Sequence, residues 1–95
     1  MSDPSREFCL PQRCSLADLE ALRTALRDHA DQPVSLSARD WHRFDSLTLQ
    51  FVMALQSDWR ARGLRLRLTG VGAEMAALLR EIGLPSEFLT WEEAQ

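Results

Sequence analysis

The sequence predicts an α/β fold: a small, mixed but mainly parallel sheet of about four strands, with three helices packed on it and a short C-terminal helical turn. Three observations lead there. Apolar residues recur at helical spacing in three separate stretches. Two short runs in which apolar and polar residues alternate, VSLSA at 34–38 and LRLRL at 64–68, enclose the longest of these stretches. Strand, helix and strand of such lengths form a βαβ unit, which implies parallel pairing and a right-handed crossover.

In chain order, EFCL at 7–10 reads as a short strand that Pro11 ends, because proline has no N–H to give to a ladder. Ser15 has the chemistry of a helix N-cap, with Asp18 three residues on. The stretch LADLEALRTALRDHA follows, and its spacing predicts a helix with Leu16, Leu19, Leu22 and Leu26 on one face. Asp18 and Glu20 near its start and Arg27 and His29 near its end suit the helix dipole. After Pro33 comes a strand in which Val34, Leu36 and Ala38 alternate with Ser35 and Ser37.

The connector RDWHRF leads into a helix expected over 46–62. Leu47, Phe51, Leu55 and Trp59 lie four apart, and Val52 and Met53 widen the stripe, so this helix is expected to be the most buried, with Gly63 closing it. In the next strand Leu64, Leu66 and Leu68 face one side and Arg65 and Arg67 the other; alternation in two strands predicts one less well covered sheet face. Gly70-Val71-Gly72 is a turn, AEMAALLREI at 73–82 a third helix closed by Gly83, and Phe88-Leu89 a last short strand. Thr90 and Glu93 stand at capping-box spacing, predicting a helix start.

A chain of 95 residues builds one core, so the expected organisation is a tail over 1–6 and a single domain over 7–95. That size excludes an enzyme with a separate cofactor domain. Apolar residues at 45% and charged residues at 26% are ordinary for a globular protein, and no apolar run approaches the ~20 residues of a membrane helix. MSDPSREF lacks the basic start and apolar core of a secretion signal, which makes the expected location cytoplasmic. A net charge of -3 gives no field that would draw the molecule to nucleic acid or acidic lipid. Cys9 and Cys14 match neither a CxxC redox pair nor a zinc half-site; two reduced thiols and a local disulfide both fit the spacing.

Motifs of catalysis are sparse. Gly70-Val71-Gly72 lies between a strand and a helix, but a dinucleotide loop would need a third glycine and an acidic residue closing the next strand. A phosphate loop ending in Gly-Lys is excluded, since the chain has no lysine. His29 and His42 belong to no metal-ligand pattern. Asp40, His42 and Ser46 supply the residue types of a hydrolase triad within seven positions, without GxSxG or a visible oxyanion hole. Arg60, Arg62, Arg65 and Arg67 could form a nucleic-acid face, yet in an acidic chain they read as a solvated helix end and strand face. Neither cofactor nor metal is expected, and no catalysis.

The stretch RFDSLTLQF at 43–51 carries the most specific signal. Asp45 or Ser46 before a periodic apolar run is a preferred N-cap, whose oxygen accepts an N–H that the first turn leaves free. A phosphate added there would meet the same N–H groups and the positive end of the dipole.

With Asp-Ser opening the helix of a βαβ unit, the chain resembles the STAS domain, the family of anti-sigma factor antagonists and sulfate-transporter tails. Asp45, Ser46 and Leu49 match the family's Asp-Ser and later Leu, LRLRLTGVGAEMAALLREIGL is similar to its strand, turn, helix and Gly-Leu close, and FLTWEEA to the start of its last helix. The resemblance covers roughly residues 8–94. Gln50 and Trp59 look most like the compact stand-alone bacterial members associated with chemotaxis and two-component systems. The chain departs from the pattern in having one N-terminal strand rather than two, Leu47 and Thr48 where a small residue and Gly are usual, and Ser37 where Asp or Asn is frequent.

The resemblance implies a non-catalytic interaction module in which the serine lies in a docking surface for an anti-sigma factor or histidine-kinase-like protein. Carried onto this sequence, Ser46 is the phosphoacceptor, Thr48 the alternative one, and the surface comprises Asp40, Trp41, His42, Arg43, Asp45, Ser46, Leu47, Thr48 and Gln50. Small STAS proteins also resemble accessory subunits that bind the cytoplasmic ATPase of a lipid or anion transporter, the same loop serving as an unmodified contact.

Overall fold

Three strands lie side by side, parallel and in chain order, in the computed structural model, which describes residues 6–12 and 15–94. They are β1 (Arg6–Cys9), β2 (Val34–Ser37) and β3 (Leu66–Thr69), and the helices are α1 (Leu16–Arg27), α2 (Ser46–Ala61) and α3 (Ala73–Ile82). In register, Phe8, Leu36 and Leu68 stand abreast across the sheet. Arg6, expected in the tail, already belongs to β1. Cys9 carries an exposed free thiol, whereas Cys14, its partner in the disulfide reading, lies outside the described residues.

One core holds the layers together. Leu10, Val34, Leu36, Ala38, Leu66 and Leu68 from the strands and their ends pack with Leu26 of α1, Val52, Leu55 and Trp59 of α2, and Met75, Ala76 and Leu79 of α3. Each Val, Leu or Met side chain among them contributes about 1.5–3 kcal/mol when fully buried. As expected, α2 is the most buried helix, and its register is decided by drift. Residues four apart on a helix of 3.6 residues per turn advance by roughly 40° per step. The row from Leu47 to Trp59 therefore winds out of the core, and Leu47 is 42% exposed while Thr48, Leu49, Val52, Leu55, Gln56 and Trp59 are buried. The same geometry corrects α1: Leu19 and Leu26 are buried, but Leu16 stands roughly 70° from the centre of their stripe and is 61% exposed.

Caps fix the helix ends. Ser15 accepts from the Asp18 N–H, as the sequence suggested. At the other end of α2, Gly63 lies just past the cap residue Arg62 at φ +74°, with Gly63 N–H donating to the Arg60 carbonyl and Leu64 N–H to that of Trp59. This is a Schellman closure, and it needs the left-handed conformation that glycine adopts without strain. Trp59 Nε1 donates to the Gln32 carbonyl and Arg62 to that of Ala30, which ties this end of α2 to the loop after α1.

The C-terminal expectations need correction. Among the described residues the sheet has three strands, all parallel, rather than about four in a mixed, mainly parallel sheet. Phe88-Leu89 forms no strand: both N–H groups donate to the Pro85 carbonyl in a turn, Leu89 is buried and Phe88 is 51% exposed. Nor does a helix start at Thr90. Residues 90–94 instead run extended beside the end of β3, with Glu92 N–H donating to Leu68 O, Val71 N–H to Glu92 O and Ala94 N–H to Val71 O. A single parallel bridge joins Val71 and Glu93. A capping box prevails only with a helix behind it, and here the open edge of β3 offers the same backbone groups a ladder.

Buried Gln56 completes this strap. Its Nε2 donates to Leu66 O and Thr90 O, and its Oε1 accepts from Thr90 N–H, so one α2 side chain bonds both β3 and the strap. The less covered sheet face is found on β1, where Glu7 and Cys9 are exposed; on β3 Arg67 and Thr69 are half-buried, and on β2 Ser35 and Ser37 are buried.

Gln56→Leu strands the Thr90 N–H and two carbonyls, and is expected to cost about 1–3 kcal/mol in urea unfolding, with faster amide exchange at Thr90 and Glu92. A second prediction concerns Arg67, which grips Glu92 through two bonds of 2.6 and 2.7 Å. That hydrogen bonding, opposed by slight desolvation and aided by the charges of Arg67 and Arg65, lowers the Glu92 pKa below its usual value of 4.5. A depressed folded-state pKa gives stability that is complete above 4.5 and is lost as the pH falls through the folded value. Glu92→Gln is therefore expected to lower the thermal midpoint at pH 7 and to approach the wild type as the pH falls below 4.5 and through the depressed folded-state value.

Candidate functional site

Between β2 and α2 the chain turns back at once: Trp41 N–H donates to the Ala38 carbonyl, and the indole folds into the core, stacked on Phe44 with ring centroids 6.4 Å apart. Trp41 is 2% exposed, so the sequence expectation of a contact residue there is corrected by the pull of a large apolar ring toward the core. Its neighbours Asp40, His42 and Arg43 are exposed, and Asp45 is partly so.

Asp45, not Ser46, is the N-cap. Its backbone is extended (φ -148°, ψ 148°), and its carboxylate accepts from Thr48 N–H at 2.7 Å and from Thr48 Oγ1 at 2.8 Å. Both carboxylate oxygens are thus engaged, and the cap leaves Ser46 as the first helical residue, its side chain exposed. Thr48 is 0% exposed with its hydroxyl bonded inward, which corrects its place on the surface: a kinase could reach it only by opening the cap. Gln50 and Leu47 do face outward. No hydrogen bond among the described residues joins Asp40, His42 and Ser46 into a relay.

The exposed side of α2 continues the surface. Ser46, Leu47, Gln50, Ala54 and Ser57 are exposed, and no charged residue occurs between positions 46 and 57. Toward the far end, Met53, Ala54, Ser57, Arg60, Glu87 and Phe88 line a shallow groove, bridged by an Arg60 hydrogen bond to the Glu87 carbonyl. Sequence reasoning placed Phe88 in a strand and missed this groove; the uncharged run in α2 was the available signal. The arginines serve local contacts: Arg62 pairs with Asp58 at 3.3 Å and lies over the Trp59 ring, and Arg67 holds Glu92.

A strand–helix alternation with an Asp-capped α2 and an exposed serine beside the cap is the arrangement to set against known families. The family model described as "Mlab, STAS domain" matches residues 13–90. This chain belongs to the STAS domain family. Comparison with curated proteins and with solved structures gave no match. STAS domains are generally non-catalytic regulatory modules that mediate protein–protein contacts, and the mixed helix-and-parallel-sheet architecture accords with that fold. The matched range of this STAS domain contains the connector, α2 and α3, while β1 and the end of the strap lie outside it. Among the described residues no helix is long and apolar enough to cross a membrane, and no cluster of ligating side chains could hold a metal.

Asp45→Ala removes the cap and leaves the buried Thr48 hydroxyl without its acceptor, for an expected loss of about 1–3 kcal/mol in chemical unfolding. Ser46→Ala changes an exposed side chain and is expected to stay within about 0.5 kcal/mol of the wild type in the same assay.

Proposed function

We propose that this STAS domain is a non-catalytic interaction module that docks a kinase-type or anti-sigma-type signalling protein through the connector at 40–45 and the exposed side of α2, with Ser46 as its switch. The observation that carries the reading is Ser46 itself: an accessible hydroxyl in the first turn of α2, flanked by outward-facing Leu47 and Gln50. An uncharged helix side is cheaply desolvated by a partner, since no ion has to leave water. Phosphorylation would add about 1.5 to 2 negative charges next to the Asp45 carboxylate. In the free protein the helix dipole offsets that by about 0.3–1 kcal/mol. Against a partner the same charge is desolvated beside a carboxylate, and the difference between the two states drives release.

A second reading keeps the surface and changes the partner to the cytoplasmic ATPase of a lipid or anion transporter, with Ser46 unmodified. It is favoured by Leu47 and the locked Thr48, which stand where a small residue and glycine would let a kinase backbone come close. Affinity capture from the native host separates the two. The switch reading expects ATP-dependent mass addition at Ser46 and at least about tenfold weaker capture by Ser46→Glu. A tight ATPase partner retained by Ser46→Ala, with no mass addition, supports the transporter reading. Capture that is indifferent to both Leu47→Arg and Ser46→Glu would overturn the proposed surface.

A further inference from the structure

The N–H groups that open α3 and the indole of Trp41 share one unanswered requirement, an acceptor. Ser15 caps α1 and Asp45 caps α2 with side-chain oxygens, but the N-cap of α3 is Gly72, and no side chain bonds its first turn. The first turn of a helix leaves its N–H groups without intrahelical partners and carries the positive end of the dipole. Trp41 lines the same depression as this turn and is almost wholly buried, and its Nε1 is the buried side-chain polar atom without a hydrogen-bond partner among the described residues. The contrast with Trp59 is plain, since that buried indole donates to Gln32 O at 2.9 Å. Trp41, His42, Gly72, Ala73, Glu74 and Met75 line one depression between the β2–α2 connector and the start of α3. It opens past the carboxyl ends of β2 and β3, where parallel sheets receive their ligands.

We propose that this depression binds a small oxyanion, a phosphate or a carboxylate, with the first-turn N–H groups of α3 and the Trp41 indole as donors. An oxyanion is the ligand class that answers both features: it accepts several hydrogen bonds at once and complements the dipole. His42 is the imidazole on the rim and Glu74 the carboxylate that opposes an anion. The depression shares Trp41 and His42 with the connector of the proposed docking surface but takes its backbone donors from α3, and it stands whether or not that surface docks a protein.

The test is a titration of the ¹⁵N-labelled protein with sodium phosphate and, separately, sodium acetate, against sodium chloride at matched ionic strength. Saturable shifts are expected at the Trp41 Nε1–H and at the amides of Ala73, Glu74 and Met75, with the Trp59 Nε1–H as the unmoved reference. Response to phosphate alone marks a phosphorylated ligand; response to both marks a general oxyanion site open to carboxylates. Trp41→Phe is expected to weaken binding about tenfold, and Glu74→Gln to strengthen it about threefold. Gly72→Asp supplies the missing cap from within; a Cβ at Gly72 meets nothing within 4 Å, and the residue's φ of -67° suits any side chain. It should raise the melting temperature and abolish the response, a readout that survives even if Trp41→Phe folds poorly. Shifts matched by chloride, or binding undiminished in Gly72→Asp, would overturn the site.

Discussion

A sheet of three parallel strands has no hairpin in it, so every strand reaches its neighbour only through a helix that must pack back onto the sheet. The packing of α2 on β3, in the core that both share with β2, is therefore the contact on which the rest hangs. Val52, Leu55 and Trp59 press into the core, Trp59 also bonds the loop after α1, and Gln56 reaches past β3 to the strap. One helix thus holds the strand before it, the strand after it and the chain's C-terminal segment.

That central position gives the N-terminus of α2 its character. Because the helix body is fixed from below, its first turn is held where Asp45 sets it, and the Asp45–Thr48 pair removes one hydroxyl from the surface while leaving its neighbour there. Rigid support beneath an exposed, uncharged helix side is what a docking surface requires, since little ordering is left to be done on contact. The family to which the chain belongs generally works through such contacts.

Most of the fold was legible in the sequence because each helix carried a periodic stripe and each strand was short, apolar and bounded. The errors fall where a local rule met a tertiary competitor. Leu16 and Leu47 belong to apolar rows by spacing alone, but a helix turns those rows away from a core that has a definite direction. The Thr90-to-Glu93 spacing reads as a cap until β3's edge and Gln56 are seen to claim the same backbone. Within the site, Asp45 and Ser46 were legible as a cap pair, while the division of labour between them was decided by Thr48, whose inward hydroxyl no spacing rule anticipates. Trp41 was unreadable for the opposite reason: its charged neighbours suggested a surface loop, and only the turn onto Ala38 takes it inside.

The Gln56 bridge also bears on the order in which the molecule comes into being on a ribosome. The amide of Gln56 is made 34 residues before the Thr90 backbone it will bond. At about 5–20 residues per second, roughly 2–7 s separate the two. Throughout that interval the Gln56 amide lacks the Thr90 partner that it has in the folded domain. The polar interior around Gln56 is complete only once the strap is in place.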